Sequence, residues 1–303
     1  MKQLFHSNGK LLLSGEYVVL DGALSLAVPT VYGQSMEVSR GASGSLKWES
    51  ESHDQNLWFE KTYNLANLQP HPSDSETSDR LVQILKATQD ISSEFLRPEE
   101  GFAVNCKLDF PRAWGLGTSS TLINNIAQWA GVDPYQLLNK TFGGSGYDIA
   151  CAQSDDPLLY QLHNGKPRVK QIAFNPPFKD CLFFVYLNKK QDSREGISLY
   201  RRKALNRDLL VSKISEITEM IVASRDLEAF EALLVKHETL ISEALNMASV
   251  KEKLFPDFSG AIKSLGAWGG DFVLATGGSD TPNYFKRKGY NDVIPYEKMI
   301  LNA

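Results

Sequence analysis

The feature that most constrains the fold of this chain is a glycine-rich segment, P-R-A-W-G-L-G-T-S-S-T, at residues 111–121. Before it, residues 102–108 alternate between apolar and polar side chains, as in a half-buried strand. After it, apolar residues recur at helical spacing as far as Ala130, and Gly131 follows. A glycine-rich turn between a strand and a helix presents backbone N–H groups at the helix N-terminus, where the helix dipole favours an anion. The segment therefore predicts a protein that handles phosphate groups.

Composition limits the class of protein. The sequence has 303 residues, of which 42% are hydrophobic and 22% charged, and its formal net charge is −4. A chain of this length can form a large core and two domains. The acidic balance predicts no nucleic-acid partner, and no apolar run is long enough to cross a bilayer. We expect a globular protein without a membrane segment.

The N-terminus and the cysteines predict a cytoplasmic location. The N-terminal stretch is too short and too polar to be a signal peptide. The three cysteines, Cys106, Cys151 and Cys181, are far apart, odd in number and without metal-binding spacing. They are therefore predicted to be buried thiols in a reducing compartment.

The order of elements predicts an α+β fold. The first third of the chain is mostly strand, residues 199–250 follow helical spacing, and residues 261–275 return to strands. The Asn-Pro-Pro sequence at residues 175–177 is the best candidate for a domain boundary. We therefore predict an N-terminal domain at residues 1–177 and a C-terminal domain at residues 178–303.

Four glycine-centred segments stand out. They are N-G-K-L-L-L-S-G at residues 8–15 followed by Glu16, the loop at residues 115–120, G-S-G-Y-D at residues 144–148, and G-A-W-G-G-D at residues 266–271. A single glycine turn is most often only a tight turn. Four in one chain, two of them flanked by a lysine or an aspartate, favour a functional site.

Phosphoryl transfer requires a cradle of N–H groups, a cation and a carboxylate that orients or deprotonates the attacking hydroxyl. The loop at residues 115–120 can supply the cradle, Lys10 the positive charge and Asp148 the carboxylate. From the pattern alone, Asp148 is equally well explained as a stabilising charge at a helix N-terminus. The loop is neither a Walker P-loop nor a Rossmann loop, because it lacks the G-x-x-x-x-G-K-[ST] pattern and the third glycine.

These segments resemble the motifs of the GHMP kinase superfamily, and in the same order. G-K-L-L-L-S-G-E-Y-V-V-L-D-G is similar to the first motif, G-L-G-T-S-S to the ATP-phosphate loop and K-S-L-G-A-W-G-G-D to the third motif. G-S-G-Y-D-I-A resembles the segment of the catalytic aspartate. The residues of these motifs are most similar to those of mevalonate and phosphomevalonate kinases. The resemblance extends from Lys10 to Asp271 and implies a two-domain fold, with a nucleotide-binding α/β domain followed by an α+β domain.

The resemblance also implies roles for individual residues. Lys10 and Asp148 match the catalytic lysine and the catalytic aspartate, and Ser119 matches the serine linked to Mg²⁺. The positions implied to bind ATP are Gly115, Leu116, Gly117, Thr118, Ser119, Ser120, Gly266, Ala267, Gly269 and Gly270. ATP and Mg²⁺ are the implied cofactors.

Some positions depart from the pattern of the superfamily. Leu137 stands where mevalonate kinases have a Mg²⁺-binding glutamate, which puts a metal site of that type in doubt. Trp114 and Trp268 are bulky residues inside glycine loops, where they either narrow a ligand pocket or pack as core. Residues 192–194, Asp-Ser-Arg, weakly resemble the acceptor-side segment, and a surface turn explains them better.

The sequence therefore predicts an ATP- and Mg²⁺-dependent small-molecule kinase. Mevalonate or phosphomevalonate is predicted as its acceptor, because the residues of the motifs are most similar to those of the kinases that act on these substrates. Two alternatives remain at this point: a binding protein for nucleotides or metabolites that has lost its chemistry, and an enzyme like diphosphomevalonate decarboxylase. The sequence does not indicate an oligomeric state.

Overall fold

The computed structural model describes residues 2–71, 75–191, 193–203 and 206–302. The chain divides into two compact units, each assembled from separate stretches of sequence. Unit 1 consists of Met1–Gly9, Tyr32–Arg112 and Leu116–Gln153. Unit 2 consists of Lys10–Val31, Ala113–Gly115 and Ser154–Ala303.

Two long strands contribute residues to both units, β1 (Gln3–Leu12) and β2 (Ser25–Arg40). The other elements of unit 1 are β3 (Ser45–Glu51), β4 (Leu57–Asn64), β5 (Gln69–His71), α1 (Glu76–Ile91), β6 (Phe102–Leu108), α2 (Thr118–Ala130), α3 (Pro134–Thr141) and α4 (Tyr147–Ala152). Those of unit 2 are β7 (Leu158–His163), β8 (Lys166–Gln171), β9 (Leu182–Tyr186), α5 (Ser193–Arg202), α6 (Arg207–Ala223), α7 (Leu227–Leu245), α8 (Val250–Leu254), β10 (Ile262–Ser264), β11 (Phe272–Thr276), α9 (Thr281–Arg287), β12 (Val293–Pro295) and α10 (Tyr296–Met299).

Unit 1 is a sheet covered by helices. Its strands follow the order β5-β4-β3-β6-β2, and β1 also pairs with β2. The β3–β6 pair is parallel, whereas β6 pairs antiparallel with the second half of β2, with Gln34 opposite Leu108. Helices α1, α2 and α3 pack on one another, and α2 also packs against α4. The core beneath them includes Trp48, Ile123 and Leu137, all fully buried.

Unit 2 contains a four-stranded antiparallel sheet in the order β10-β11-β9-β12. Every residue of β9 and β11 is buried, which explains their continuous apolar sequences. Strands β7 and β8 form a hairpin around Asn164 and Gly165, both of which have a positive φ. The first residues of β2 pair with β7. Helix α7 packs against α5, α6 and β10.

The prediction of an α+β fold is confirmed. The boundary at residue 177 stays a prediction. Of the three cysteines, Cys106 and Cys151 are buried as expected, and Cys181 is only half-buried. Within the described ranges, no helix combines the length and the apolar character that a membrane span requires.

Candidate phosphate-transfer site

The glycine-rich segment forms the start of α2 in unit 1. Gly117 is the residue before the helix and has a φ of +105°, a left-handed conformation that glycine adopts without steric cost. Thr118, Ser119 and Ser120 then occupy the first turn of the helix, where the backbone N–H groups lack partners within the helix. Leu116 is fully buried. A helix N-terminus with this geometry is suited to binding an anion.

The hydroxyl residues of this turn have different roles. Ser120 Oγ donates a hydrogen bond to the carbonyl of Gly117 at 2.9 Å, and Thr121 Oγ1 donates to the same carbonyl at 3.0 Å. Both hydroxyls therefore stabilise the loop itself. The Ser119 side chain is exposed at the helix start. Of the two predicted serines, Ser119 is thus the better placed to contact a ligand or a metal ion.

A buried polar network anchors α2. Asn125 donates to the carbonyl of Gln34 at 3.0 Å and accepts from Ser7 at 2.7 Å. Asn124 donates to Ser7 at 2.9 Å and accepts from Gln153, just after α4, at 2.9 Å. These asparagines were not predicted as site residues, although two adjacent amides on an otherwise apolar helical stripe were a usable signal. They fix helix α2, whose first turn belongs to the predicted phosphate loop at residues 115–120.

Asp148 lies at the second position of α4. Gly146 precedes this helix with a φ of +87°, and Asp148 is half-buried in its first turn. An acidic side chain there stabilises the helix by roughly 0.3–1 kcal/mol. Helix α4 packs against α2 within unit 1. The helix that begins with the predicted phosphate loop therefore contacts the helix that carries the predicted catalytic aspartate.

In unit 2, Lys10 of the first motif contacts Gly115. Lys10 Nζ donates a hydrogen bond to the carbonyl of Gly115 at 3.0 Å. The Asp271 carboxylate also lies close to Gly115, because a Cβ atom built on this glycine would come within 2.6 Å of it. The structure therefore brings Lys10, Gly115 and Asp271 together.

Asp271 is a candidate site residue that the sequence analysis did not select. Its Oδ1 accepts a hydrogen bond from the backbone N–H of Gln191 at 3.2 Å, and its backbone has a φ of +52°. Burial raises the pKa of Asp271, while the Gln191 hydrogen bond and the charges of Lys10 and Lys190 lower it. The available signal was its position at the end of the third glycine motif.

The third glycine loop is held by the first motif. The backbone N–H of Trp268 donates to the Tyr17 hydroxyl at 3.1 Å, and Tyr17 has an unusual backbone with a φ of +63°. Gly266 and Gly269 also have positive φ values, whereas a Cβ atom on Gly270 would collide with the carbonyl of Lys189. The predicted residues Gly266, Ala267, Gly269 and Gly270 thus form a constrained loop beside Asp271.

The two tryptophans lie in different surroundings. Trp114 packs edge-on against Phe272, with ring centroids 5.4 Å apart, and also contacts Tyr186. Trp268 is buried in a cluster that includes Tyr17 and Tyr200. Core packing therefore explains Trp268. Asp192, the first residue of the weakly matched acceptor-side segment, lies outside the described residues.

Buried ionisable groups connect the first motif to β10. Lys263 Nζ donates to Glu16 Oε1 at 2.5 Å, and the Gly15 N–H donates to His237 Nε2 at 2.9 Å. Burial raises the pKa of Glu16, which the neighbouring Lys263 partly opposes. Burial and the Lys263 charge hold the pKa of His237 well below its usual range, so this imidazole is neutral.

Glu238 completes this group. It accepts hydrogen bonds from both the backbone N–H and the hydroxyl of Ser264, which precedes the third loop. Burial raises the pKa of Glu238 to about 7, although Lys263 and the Ser264 hydrogen bonds oppose the shift. His237 and Glu238 were not predicted, because nothing in the sequence near α7 indicates their partners.

The sequence matches no protein-family model and no curated protein. Solved structures do match, and they define the class of fold: the chain has the GHMP kinase fold, as the motifs implied. The mevalonate kinase of Methanococcus jannaschii is 18% identical, with a TM-score of 0.69 over 97% of this chain and 96% of that one.

Two further structures show the range of the likeness. The phosphomevalonate kinase of Streptococcus pneumoniae, in complex with phosphomevalonate and AMPPNP, is 16% identical, with a TM-score of 0.69 over 99% of this chain and 98% of that one. The galactokinase of Lactococcus lactis, complexed with galactose, is 14% identical, with a TM-score of 0.67 over 95% and 88%. Identities this low establish the fold, and the activity has to be argued from the site.

Proposed function

We propose that the protein is an ATP-dependent kinase that phosphorylates a small molecule. The observation that carries the proposal is the hydrogen bond from Lys10 to the Gly115 carbonyl, which joins the first motif to the phosphate loop in unit 2. The start of α2, with its left-handed Gly117 and exposed Ser119, supports the same reading in unit 1. The fold is one on which ATP-dependent kinases occur, and one similar structure contains AMPPNP.

In the proposed reaction, the N–H groups at the start of α2 bind the phosphates of ATP and offset their negative charge. Lys10 adds positive charge beside Gly115, where charge develops as the γ-phosphoryl group leaves ADP. Asp148 orients the attacking oxygen of the acceptor, a hydroxyl or a phosphate oxygen. When that oxygen is a hydroxyl, Asp148 receives its proton as the new O–P bond forms. The residues of the third loop, Gly266 to Gly270, hold the backbone close to Asp271.

We propose that Mg²⁺ binds together with ATP. Leu137 is fully buried in the core of unit 1, and its hydrocarbon side chain has no atom that can bind a metal. Among the described residues, no three His, Cys, Asp or Glu side chains are grouped in a way that would hold an ion. The exposed Ser119 hydroxyl fits an ion bound mainly by the nucleotide phosphates, with one protein oxygen from the start of α2. When bound, the ion would neutralise phosphate charge.

For the acceptor, we propose mevalonate or phosphomevalonate. The amino-acid sequence of the first motif and the aspartate at the end of the third motif support these substrates. Similar structures include a mevalonate kinase and a phosphomevalonate kinase, although the likeness extends to a galactokinase. The acceptor panel of any assay should therefore contain mevalonate, phosphomevalonate and galactose.

The test is an assay of ADP formation with Mg²⁺, ATP and each acceptor, with the product confirmed by mass spectrometry. We expect transfer to one acceptor, and a loss of roughly 100-fold or more in kcat for Asp148→Asn. The matched control is Asp133→Asn, because Asp133 caps α3 through its side chain and asparagine caps equally well.

Three results would contradict the proposal. Thermal stabilisation by ATP without transfer to any acceptor would indicate a nucleotide-binding protein on this fold. Release of CO₂ from diphosphomevalonate would indicate a decarboxylase. Unchanged turnover by Asp148→Asn would remove Asp148 from catalysis.

A further inference from the structure

Tyr17, the residue after Glu16 in the first motif, has a strained backbone. Its φ is +63° and its ψ is −45°, and the N–H of Val18 donates a hydrogen bond to the carbonyl of Glu16 at 2.7 Å. A hydrogen bond between residues two positions apart, around a residue with positive φ and negative ψ, defines the rare and strained type of γ-turn. A residue other than glycine keeps such a conformation only where the surrounding structure holds it.

Helix α5 confines the side chain of Tyr17. The rings of Tyr17 and Tyr200 are stacked, with centroids 5.7 Å apart and planes inclined by 24°. Gly196, one helical turn before Tyr200, leaves room for the Tyr17 hydroxyl, because a Cβ atom on this glycine would collide with the hydroxyl oxygen. Only 8% of the surface of Tyr17 is exposed. The ring therefore has one available direction.

In that direction lies the third loop. The Tyr17 hydroxyl accepts a hydrogen bond from the backbone N–H of Trp268 at 3.1 Å. Burial raises the pKa of Tyr17, and the charges of Glu16 and Asp271 raise it further, although the Trp268 hydrogen bond opposes the shift. The hydroxyl is therefore neutral near pH 7, and its oxygen accepts the N–H of the loop.

This hydrogen bond fixes the middle of the third loop. Gly266 and Gly269 have positive φ values, so the loop has the conformational freedom of glycine and depends on outside contacts for its shape. Its last residue, Asp271, donates through its backbone N–H to the carbonyl of Lys189 at 2.7 Å. A Cβ atom on Gly266 would lie 4.0 Å from the Asp271 carboxylate. A shift of the loop at Trp268 would therefore change the surroundings of this carboxylate.

Packing does not require the hydroxyl. A phenylalanine at position 17 would preserve the buried ring, its stack on Tyr200 and the γ-turn. The net contribution of one hydrogen bond to stability is no larger than the cost of such backbone strain. Strained residues that the surrounding structure holds in place are concentrated at functional sites. The arrangement therefore indicates a role in the position of the loop.

We propose that Tyr17 is a positioning residue of the proposed kinase. Its γ-turn directs the hydroxyl to the backbone of Trp268, and this hydrogen bond keeps the third loop where the Asp271 carboxylate lies close to Gly115. Tyr17 acts through the loop, without contact to the reacting atoms. The proposal rests on the proposed function, because turnover is one of its two readouts.

The test is Tyr17→Phe, which removes the hydroxyl and keeps the ring. Hydrogen–deuterium exchange, measured by mass spectrometry on a peptide that contains residues 264–271, reports on the loop without any reaction. Exchange should be faster in the variant, because the Trp268 N–H loses its acceptor. In the assay of ADP formation, kcat should fall by roughly 10- to 100-fold, with KM for ATP within about twofold.

Tyr63→Phe is the matched control. Tyr63 is fully buried in unit 1, and its hydroxyl shares a hydrogen bond with the Ser78 hydroxyl at 3.0 Å. This variant also loses one buried hydrogen bond, but it should keep the kinetic constants and the exchange of residues 264–271. Gly196→Ala is a second probe, because it retains Tyr17 and crowds its hydroxyl from α5. It should have both effects of Tyr17→Phe.

The two readouts separate this inference from the proposed function. Unchanged exchange in Tyr17→Phe would show that the hydroxyl does not hold the loop. Faster exchange with wild-type kcat would leave the loop without a role in turnover, and equal kinetic losses in Tyr17→Phe and Tyr63→Phe would indicate general destabilisation; each result overturns the positioning role. A wild-type protein that phosphorylates no acceptor overturns the proposed function, while the exchange data still decide whether Tyr17 holds the loop. If Tyr17→Phe does not fold, wild-type values for Gly196→Ala overturn the inference.

Discussion

At the level of single residues, two independent constraints act on Gly115. Its φ of +69° lies in the left-handed region, which costs other residues roughly 1–2 kcal/mol. A Cβ atom there would also meet the Asp271 carboxylate at 2.6 Å, and the Gln191 N–H holds this carboxylate in place. Gly131, at the end of α2, shares only the first constraint: its φ is +66°, and nothing lies within 4 Å of the position of a Cβ atom.

The pair Gly115→Ala and Gly131→Ala therefore separates backbone strain from the approach of Asp271. We expect Gly131→Ala to lose about 1 kcal/mol of unfolding free energy through backbone strain, and Gly115→Ala to lose more, because its Cβ atom also meets Asp271. Only Gly115→Ala should also lose activity, up to ~100-fold in kcat/KM for ATP, because the phosphate loop or the carboxylate must move. Urea denaturation and steady-state kinetics measure the two effects. Equal kinetic constants for the two variants would show that the contact with Asp271 has no role in function.

At the level of elements, buried ionisable side chains connect three parts of unit 2: the turn after β1, helix α7 and strand β10. Glu16 and Lys263 are paired, and Glu238 accepts hydrogen bonds from Ser264. Buried charges are costly unless they are paired and hydrogen-bonded. Because Tyr17 and Trp268 extend from this region into the third loop, the position of the loop depends on these elements.

The pKa of Glu238, raised to about 7, predicts a pH-dependent stability. The folded protein retains this proton to about pH 7, whereas the unfolded chain releases it near pH 4.5. The contribution of Glu238 to stability therefore falls as pH rises from about 4.5 to about 7, by roughly 3 kcal/mol in total. Glu238→Gln keeps an acceptor oxygen for Ser264 and removes the ionisation. Relative to the wild type, the variant should gain unfolding free energy as pH rises through this range.

Urea denaturation at several pH values measures this difference. His237 acts in the opposite direction, because its pKa is held well below 6.5 and its contribution is lost as pH falls through 6.5. Since His237 is present in both proteins, the comparison isolates Glu238. Glu243→Gln, an exposed position on the same helix, is the control and should leave the profile unchanged. A constant difference between wild type and Glu238→Gln across pH would contradict the prediction.

At the level of the whole molecule, the two units do not follow the order of the sequence. Unit 2 takes residues 10–31 and 113–115 from the first half of the chain and combines them with residues 154–303. Residues 10–31 supply Glu16, which pairs with Lys263, and Ser14, which hydrogen-bonds Thr218. The C-terminal part of the chain therefore lacks important partners when it stands alone.

We expect a fragment of residues 178–303, expressed alone, to remain unfolded. Without residues 10–31, Lys263 and His237 lose the partners that satisfy them in the interior, at a cost of several kcal/mol. Circular dichroism and the dispersion of NMR amide signals measure the fold of the fragment. As a control, the full chain cut by a protease at a site inserted at residues 175–177 should stay folded, because both pieces are present. A well-folded isolated fragment would instead support an independent domain beginning near residue 178.

Much of the local structure was predictable from the sequence. Alternation at residues 102–108 predicted the strand, and the glycine–hydroxyl segment predicted a helix, which begins at Thr118 and ends before Gly131. Asp133-Pro134 marked the start of α3 because aspartate caps a helix and proline fits its first turn. These features depend on neighbouring residues, so a local pattern is enough. The roles of Lys10, Ser119 and Asp148 stay predictions until the assays above are done.

By itself, the sequence determined the glycine–hydroxyl turn before α2, the α+β class and the resemblance that the solved structures confirm as the GHMP kinase fold. Only the tertiary structure decided that Asp271 lies against Gly115, that His237 and Glu238 serve residues 15 and 264, and that Tyr17 stacks on Tyr200. The physical reason is distance along the chain. Glycine conformations, helix caps and strand alternation are set by residues a few positions apart, whereas these contacts join residues far apart in sequence. Folding alone brings such residues together, and their identities carry no local trace of the partner.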